Sequence, residues 1–428
     1  MIITVTFGLM GRICRKSAIG SGTRWFDDTM IADTILVLNA GSSSLKFGVF
    51  ELCTQLPVLM RGSLASLNGK PQMSVFGPEG SQAQHADLAD GPISTEEALE
   101  FVFAEVEGKG LLQSVSAVGH RIVHGGRDFT AATILDPPTL EALRALAPVA
   151  PLHQPHNLDI VELAVRFLPK AVQIGCFDTA FHAARPRLAT LYALPRALTD
   201  SGIMSFGFHG ISYGHIASRL RERYGSAAGG RAIVAHLGSG ASLCAMHEGK
   251  SVATTMGFSP LDGLVMGTRS GSIDPGVILY LLQNRKMRAH EISRLLYDRS
   301  GLLGVSGISD DMQTLVESDD PQSKEAIDLF VYRAGREIGS LAAALGGLDT
   351  LVFTAGIGEN SPLIRDKICE AAAWLGVTLD AERNRQGNER ISAHGSVVDV
   401  LVIPTEEERA VAEQVSSAMS QGVPVRDK

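Results

Sequence analysis

The chain lacks paired cysteines, long apolar runs and an excess of positive charge, and each absence removes a class of protein. Its five cysteines (Cys14, Cys53, Cys176, Cys244 and Cys369) are odd in number and scattered, with no Cys-x-x-Cys pair. That excludes a disulfide framework and a cysteine zinc site, and reads as buried reduced thiols of a cytoplasmic protein. No apolar run approaches the roughly 20 residues of a membrane span. The formal charge of -8 excludes a general nucleic-acid binder, which would carry a basic face. Any anionic ligand must therefore be gathered by local arginines rather than by the overall field. Residues 1–30 hold Arg12, Arg15, Lys16 and Arg24 but no apolar stretch leading to a small-residue cleavage site. They read as an over-long start or a disordered extension, not a secretory signal.

What the chain has in quantity is core-forming residues and glycine: 45% hydrophobic, 20% charged and 45 glycines in 428 residues. The length calls for two domains. Two segments repeat one pattern. Val37-Leu-Asn-Ala-Gly-Ser-Ser-Ser-Leu-Lys-Phe-Gly-Val-Phe-Glu51 lies over Val234-Ala-His-Leu-Gly-Ser-Gly-Ala-Ser-Leu-Cys-Ala-Met-His-Glu248. Each reads as a hairpin around a Gly/Ser turn. Such turns offer backbone N–H groups and hydroxyls that suit phosphate oxygens. One copy in each half predicts a duplicated unit with a polyphosphate held between the copies.

A third glycine turn follows the apolar strand Leu351–Thr354. Ala355-Gly-Ile-Gly-Glu-Asn360 breaks it, and Pro362 opens a helix, a combination suited to a nucleotide. Elsewhere strands alternate with helices, which indicates α/β layers. Ser94-Thr-Glu-Glu97 and Thr405-Glu-Glu-Glu408 read as capping boxes. Asp274-Pro275 reads as a helix start, and Glu325–Leu345 as a long helix closed by Gly346-Gly347. The boundary falls just after Asp178, giving an extension (1–30), an N-terminal α/β domain (31–180) and a C-terminal nucleotide-binding domain (181–407). A terminal helix, 408–428, packs back on the first domain. Asp178 and Gly356 both follow apolar strands, whose carboxyl ends collect ligands in layered α/β folds.

Candidate chemistry sits in loops rich in glycine. His120-Arg-Ile-Val-His-Gly-Gly-Arg127 follows a strand at Val115–Val118, and Ser205-Phe-Gly-Phe-His-Gly210 presents His209 between glycines. The loop from Thr255 to Gly271 carries one cation, Arg269. Flanking glycines let backbone approach a ligand closely. Gly249-Lys250-Ser251 fails as a P-loop because Cys244 stands where its first glycine belongs. Gly210-Ile-Ser-Tyr-Gly214 matches a hydrolase nucleophile elbow, with Ser212 as nucleophile, but that motif requires a strong preceding strand. Gly202–Gly207 is a weak one. The His120/His124 and His153/His156 spacings favour structural roles over a metal site.

Six motifs carry a resemblance: Asn39-Ala-Gly-Ser-Ser-Ser-Leu-Lys46, His120-Arg-Ile-Val-His-Gly-Gly126, Phe177-Asp-Thr-Ala-Phe-His182, Gly207-Phe-His-Gly210, Gly267-Thr-Arg-Ser-Gly271 and Ala355-Gly-Ile-Gly-Glu-Asn360. Together, in this order and from about Ile35 to the end, they resemble the acetate kinase family. That family belongs to the superfamily of actin, sugar kinases and heat-shock ATPases. The resemblance implies an α/β fold of two duplicated actin-like ATPase domains around a central cleft. It implies reversible, Mg2+-dependent phosphoryl transfer from ATP to acetate, giving acetyl phosphate and ADP by direct in-line transfer. Mn2+ is an alternative ion. A cytoplasmic homodimer without nucleic-acid or membrane partners is implied as well.

Residue by residue, the resemblance makes Arg121 and Arg269 clamps on the carboxylate and the migrating phosphoryl. His209 becomes a hydrogen-bond donor to that phosphoryl, and Asp178 the active-site acid. Asn39 and Glu407 would hold the metal. Ser42, Ser44 and Lys46 lie near the phosphates. His236, Leu237, Gly238, Ser239 and Gly240 hold nucleotide, as do Asp311, Met312, Gln313, Gly356, Ile357, Gly358, Glu359 and Asn360. Val123, Leu152, Phe208 and Pro260 would form the acyl pocket. The chain departs from the family pattern at Gln154, His156, Ser272, Gln313 and Glu406. Gln313 stands where an arginine is usual, so a cation over the base is missing. The alternatives are a propionate kinase of the same family, a hydrolase using Ser212, and a non-catalytic ATP-binding relative. Neither clamp arginine has an acidic partner at helical spacing, which predicts little effect on stability when either is removed.

Overall fold

A computed structural model describes residues 33–41, 44–80, 84–151 and 153–421. The expectations placed on residues 1–30, Ser42 and Leu152 lie outside the described residues. The chain divides into two compact units. One comprises the residues up to Phe177 together with those from Glu407 onward, and the other runs from Asp178 to Glu406.

The first unit is built on β1 (Thr34–Ala40), β2 (Leu45–Glu51), β3 (Val58–Ala65), β4 (Gln72–Phe76), β5 (Gln84–Asp87), β6 (Val115–Ile122), β7 (Thr133–Ile134) and β8 (Val172–Phe177). They form one sheet in the order β5-β4-β3-β2-β1-β6-β8-β7. β1 runs antiparallel to β2 and parallel to β6, which runs parallel to β8. Every residue of β1 is buried, as an uninterrupted apolar run requires of a strand covered on both faces. Helices Thr95–Gly108 and Gln154–Phe167 bury Val102, Phe103, Ile160 and Leu163 in one core with Leu36, Leu38 and Val118. Helix Glu407–Ser420 packs on β1 and β6. It lies so close that a β-carbon on Gly119 would come within 2.7 Å of Val411 and 2.8 Å of Val415.

The second unit holds β9 (Arg231–Leu237), β10 (Ala241–His247), β11 (Lys250–Thr254), β12 (Thr350–Thr354) and β13 (Asp399–Val402), ordered β11-β10-β9-β12-β13. β9–β10 and β10–β11 are antiparallel, while β12 is parallel to both β9 and β13. The order β3-β2-β1-β6-β8 is thus repeated strand for strand and sense for sense. The repeated hairpin in the sequence is the visible part of a repeated half-sheet. Helix Gly210–Tyr224 contributes Ile216, Ala217 and Leu220 to a core with Val234, Val352 and Leu401.

The Ser94 box forms: Glu97 N–H donates to Ser94 Oγ at 3.2 Å, and the Glu97 carboxylate accepts the Ser94 N–H at 2.9 Å. Asp274 caps its helix, and the long helix Pro321–Leu345 ends at Gly346 with φ +72°. Four local expectations are corrected. β6 continues to Ile122, so His120 and Arg121 are strand residues. Ala355–Asn360 is a short helix entered directly from β12 rather than an open turn. Gly202–Gly207 forms no strand. The Thr405 box is not built, because Thr405 N–H donates to Glu359 Oε1 at 3.0 Å and its hydroxyl to Ser212 Oγ at 2.9 Å. No described helix is long and apolar enough to cross a membrane.

Candidate active site

In the first unit, adjacent strands β1 and β6 bring Asn39 and Arg121 together, and the start of helix Glu407–Ser420 supplies two carboxylates. Asn39 Nδ2 donates to Glu407 Oε2 at 2.9 Å and to Glu408 Oε1 at 2.8 Å. Asn39 Oδ1 accepts from Arg121 Nη1 at 3.1 Å, and the same guanidinium nitrogen lies 3.6 Å from Glu407 Oε2. Arg121 therefore has an acidic partner, against the expectation from spacing, supplied by a helix hundreds of residues away. From the sequence Glu408 reads only as the last residue of a capping box and not as part of the site; acids in a first helical turn were the local signal.

Among the described residues no group of three or more His, Cys, Asp or Glu is placed to hold a metal. The carboxylates of Glu407 and Glu408 nevertheless fit a hard divalent cation of the Mg2+ type, which takes one or two carboxylates and keeps water or phosphate in its other positions, whereas Asn39 turns its amide nitrogen to them and its oxygen to Arg121. Lys46 pairs with Asn39 across the hairpin and is exposed. It borders a cavity of about 780 Å3 with Arg61, Ser63, Glu408 and Arg409. Ser44 closes the turn, its carbonyl accepting the Gly41 N–H at 2.8 Å. Val123 follows β6 and donates its N–H to Asn157 Oδ1 at 3.0 Å.

The neighbouring histidines are structural. His120 Nε2 meets Gln173 Oε1 at 2.7 Å, and His124 Nδ1 accepts the Gly126 N–H at 2.9 Å. Burial pushes both imidazoles down to a pKa of about 4.

In the second unit, Asp178 follows β8 and is 1% exposed. Its carbonyl accepts the Gly210 N–H at 2.9 Å. His209 precedes Gly210 in a left-handed conformation, φ +58°, and the loop before it is clamped from below. Arg185 donates to the carbonyls of Ser205 at 2.7 Å and Phe206 at 2.8 Å, and His182 Nε2 reaches the Phe208 carbonyl at 2.9 Å. Burial drives His182 down to a pKa of about 3, so it serves this carbonyl as a neutral donor.

The His209 ring stacks on His236, which ends β9, with centroids 4.2 Å apart. A β-carbon on Gly240 would lie 3.3 Å from His209 Nε2 and 3.9 Å from Arg269 Nη1. The imidazole and the guanidinium thus converge over the bare backbone of the Gly238–Gly240 turn. Arg269 also donates to the Pro260 carbonyl at 3.1 Å, and Ser239 accepts the Gly267 N–H at 3.0 Å. Phe208 is buried beside His209, and Leu237 is buried in β9.

Ala355 abuts the same turn: a β-carbon on Gly238 would lie 3.7 Å from the Ala355 Cβ. Glu359 is drawn inward, its Oε1 accepting the Ala355 N–H at 2.8 Å. Asn360 donates to the Gly356 carbonyl at 2.9 Å. Ile357 and Gly358 lie within that helix. Asp311 caps helix Met312–Val316, Met312 is buried, and Gln313 donates to Glu317 at 2.9 Å. The elbow reading of Ser212 is overturned. Ser212 is the third residue of a helix with no strand before it, fully buried, and hydrogen-bonded to His236 Nδ1 at 2.9 Å.

The chain matches the Acetokinase family over residues 34–413. It is 51% identical over 391 residues to the acetate kinase of Rhodopseudomonas palustris (strain TIE-1), covering 90% of this chain and 98% of that protein. Of solved structures, the acetate kinase of Porphyromonas gingivalis aligns at a TM-score of 0.78 and 35% identity, over 91% of this chain and 100% of that one. A propionate kinase from Francisella tularensis subsp. tularensis SCHU S4 aligns at 0.82 and 34% identity, over 89% and 98%. A repeated half-sheet with glycine turns at its strand ends, a family match along nearly all of the described chain and relatives of this identity lead to one statement: the chain belongs to the acetokinase family.

Proposed function

We propose that the protein transfers a phosphoryl group from ATP to acetate, reversibly and with Mg2+, giving acetyl phosphate and ADP. The observation that carries this reading is the convergence of His209 and Arg269 over the Gly238–Gly240 turn. A guanidinium and an imidazole N–H beside a glycine turn without side chains at Gly238 and Gly240 form the cradle that a migrating phosphoryl needs, since such transfer depends on positioning and charge stabilisation. Arg269 offers its planar fork to the phosphoryl oxygens, and His209 donates from Nε2. Arg121 binds the acceptor carboxylate, and Asp178 orients the acyl acceptor from the end of β8.

Asn39 and Glu407, with Glu408 beside them, would hold Mg2+, or Mn2+ in its place. The ion supplies charge neutralisation at the phosphates. Ser44 and Lys46 serve the phosphates, and the Gly356–Asn360 helix with Asp311–Gln313 serves the adenosine. Val123, Phe208 and Pro260 offer apolar surface to the acyl methyl. A methylene more or less in such a pocket changes binding by about 1–3 kcal/mol, so propionate should be a slower substrate, not an excluded one. The similarity to a propionate kinase supports keeping that second reading.

Helix Pro275–Gln283 supports a homodimer: it buries none of its residues, and Leu279 and Tyr280 are 53% and 49% exposed. Buried, unpaired thiols at Cys176, Cys244 and Cys369 support a reducing, cytoplasmic setting. The test traps acyl phosphate as hydroxamate from ATP and Mg2+ with acetate, propionate or butyrate. Acetate should give the highest kcat/KM. Absence of product from all three would overturn the function, and a propionate preference would install the second reading.

A further inference from the structure

Two hydrogen-bond chains end on the stacked imidazoles, and both begin on one helix and its neighbours. Ser212 and Tyr213 are consecutive in helix Gly210–Tyr224. Ser212 Oγ meets His236 Nδ1 at 2.9 Å and accepts the Thr405 hydroxyl at 2.9 Å. Tyr213 Oη meets Ser242 Oγ at 2.6 Å, and Ser242 Oγ meets His209 Nδ1 at 2.8 Å. His236 and Ser242 face each other across the β9–β10 ladder. Ser212, Tyr213 and Ser242 are all fully buried.

The proton directions in these chains follow from counting donors. Each hydroxyl has one hydrogen. The buried Tyr213 phenol has Ser242 as its hydrogen-bond partner, and a buried hydroxyl left without an acceptor is strongly disfavoured. Its hydrogen therefore goes to Ser242. The hydrogen of Ser242 is then left for His209 Nδ1. In the other chain Thr405 donates to Ser212, which leaves the Ser212 hydrogen for His236 Nδ1. A ring nitrogen that accepts carries no proton, so each neutral imidazole must hold its hydrogen on Nε2.

We propose that Ser212 and Ser242 are positioning residues that lock His236 and His209 as neutral Nε2–H tautomers, so that the stacked pair meets a phosphate with two N–H donors and no lone pair. This rests on the reading that the Gly238–Gly240 turn receives the phosphoryl. The reason for two relays is the stack itself. At 4.2 Å one imidazolium would repel a second, and Arg269 already brings a cation to the same turn. A neutral pair with fixed tautomers supplies directed hydrogen bonds without that repulsion. In the opposite tautomer, Nε2 would aim a lone pair at the phosphate oxygens. Tyr213 supports the arrangement, since burial raises its pKa well above the ordinary phenol range and keeps it a donor.

The experiment records 15N spectra of histidine-labelled full-length protein near neutral pH, with His209→Ala and His236→Ala used for assignment. Both rings should show a pyridine-like Nδ1 and a pyrrole-like Nε2. In Ser242→Ala the His209 signals should move toward a tautomer mixture, as should those of His236 in Ser212→Ala. Turnover should fall roughly 10-fold in each, the scale of one positioned hydrogen bond to a charged group, with KM for ATP changed less than kcat. Ser242→Thr, which keeps the hydroxyl, should restore both tautomer and turnover. An Nδ1–H signal in either wild-type ring, or alanine variants that fold and leave both spectra unchanged, would overturn the proposal. Correct tautomers with full turnover in His209→Ala would instead leave the relays standing and sink the phosphoryl reading. The spectra need no activity, so an unstable variant still leaves the wild-type rings as the deciding measurement.

Discussion

Gly210→Ala sets two effects of opposite sign against each other. Gly210 opens helix Gly210–Tyr224 with an ordinary negative-φ backbone, so helix propensity alone predicts a gain of about 1 kcal/mol. The space around it predicts the reverse. A β-carbon there would sit 2.1 Å from the Asp178 carbonyl oxygen and 2.9 Å from the Phe181 Cβ. Real β-carbons essentially never come closer than 3.0 Å, so the strand end and the helix start must separate by about 0.9 Å. Overpacking of this kind costs about 1–3 kcal/mol, which cancels the propensity gain and leaves a net loss of order 1 kcal/mol.

The activity should suffer far more than the fold. The displaced backbone carries Asp178 on one side and His209 on the other, and a misplacement of about 1 Å can lower turnover on the order of 100-fold. The control is Gly214→Ala one turn later, where the nearest atom would be Phe181 Cδ2 at an ordinary 3.7 Å. It should keep full turnover and gain slightly in thermal midpoint. Hydroxamate formation and thermal melting of the two variants decide the matter. Gly210→Ala with turnover within threefold of the parent and an unchanged midpoint would refute the claim that this contact sets the geometry.

Arg121→Ala and Arg269→Ala should each lower kcat on the order of 100–1,000-fold, with lysine a poor substitute for the bidentate fork. Their melting should differ. The Arg121 and Glu407 side chains are only 17% and 13% exposed, and breaking a largely buried pair costs about 3 kcal/mol, whereas loss of Arg269 should move the midpoint little. Equal midpoints would contradict the Asn39–Arg121–Glu407 cluster. Glu407→Gln should raise the Mg2+ concentration giving half-maximal activity by roughly 10-fold or more; an unchanged titration would remove Glu407 from the metal. Stability should depend on pH through His120, His124 and His182, held at pKa values of about 4, 4 and 3 against about 6.5 in the unfolded chain. The unfolded state binds more protons than the fold in this window. Stability is therefore full above pH ~6.5 and is lost as pH falls toward 4 and below, by up to about 3 kcal/mol each for His120 and His124 and about 5 kcal/mol for His182. Denaturant midpoints that stay flat from pH 7 to 5 would contradict the assignment.

The sequence by itself determined the parts written locally. The apolar runs of β1, β9 and β12 read as buried strands, the two Gly/Ser hairpins announced the duplication of topology, and the motif in the first hairpin, with five further motifs, announced the family. Ser94, Asp274 and Gly346 marked helix ends through side-chain and glycine chemistry that acts within a turn. Local rules failed where a distant partner competed. Thr405-Glu-Glu-Glu408 has the letters of a capping box, but Glu359 and Ser212 take the Thr405 groups and Asn39 takes Glu408. Arg121 looked unpaired because Glu407 reaches it only when the last helix packs on β1 and β6. The elbow at Gly210–Gly214 dissolved because what precedes Ser212 is a clamped loop rather than a strand. Only the tertiary structure decided that Ser242 backs His209, that His209 stacks on His236, and that Arg269 meets them over Gly240. Spacing along a chain encodes the period of one helix or strand, whereas those contacts join strand ends and loops whose separation in sequence carries no period.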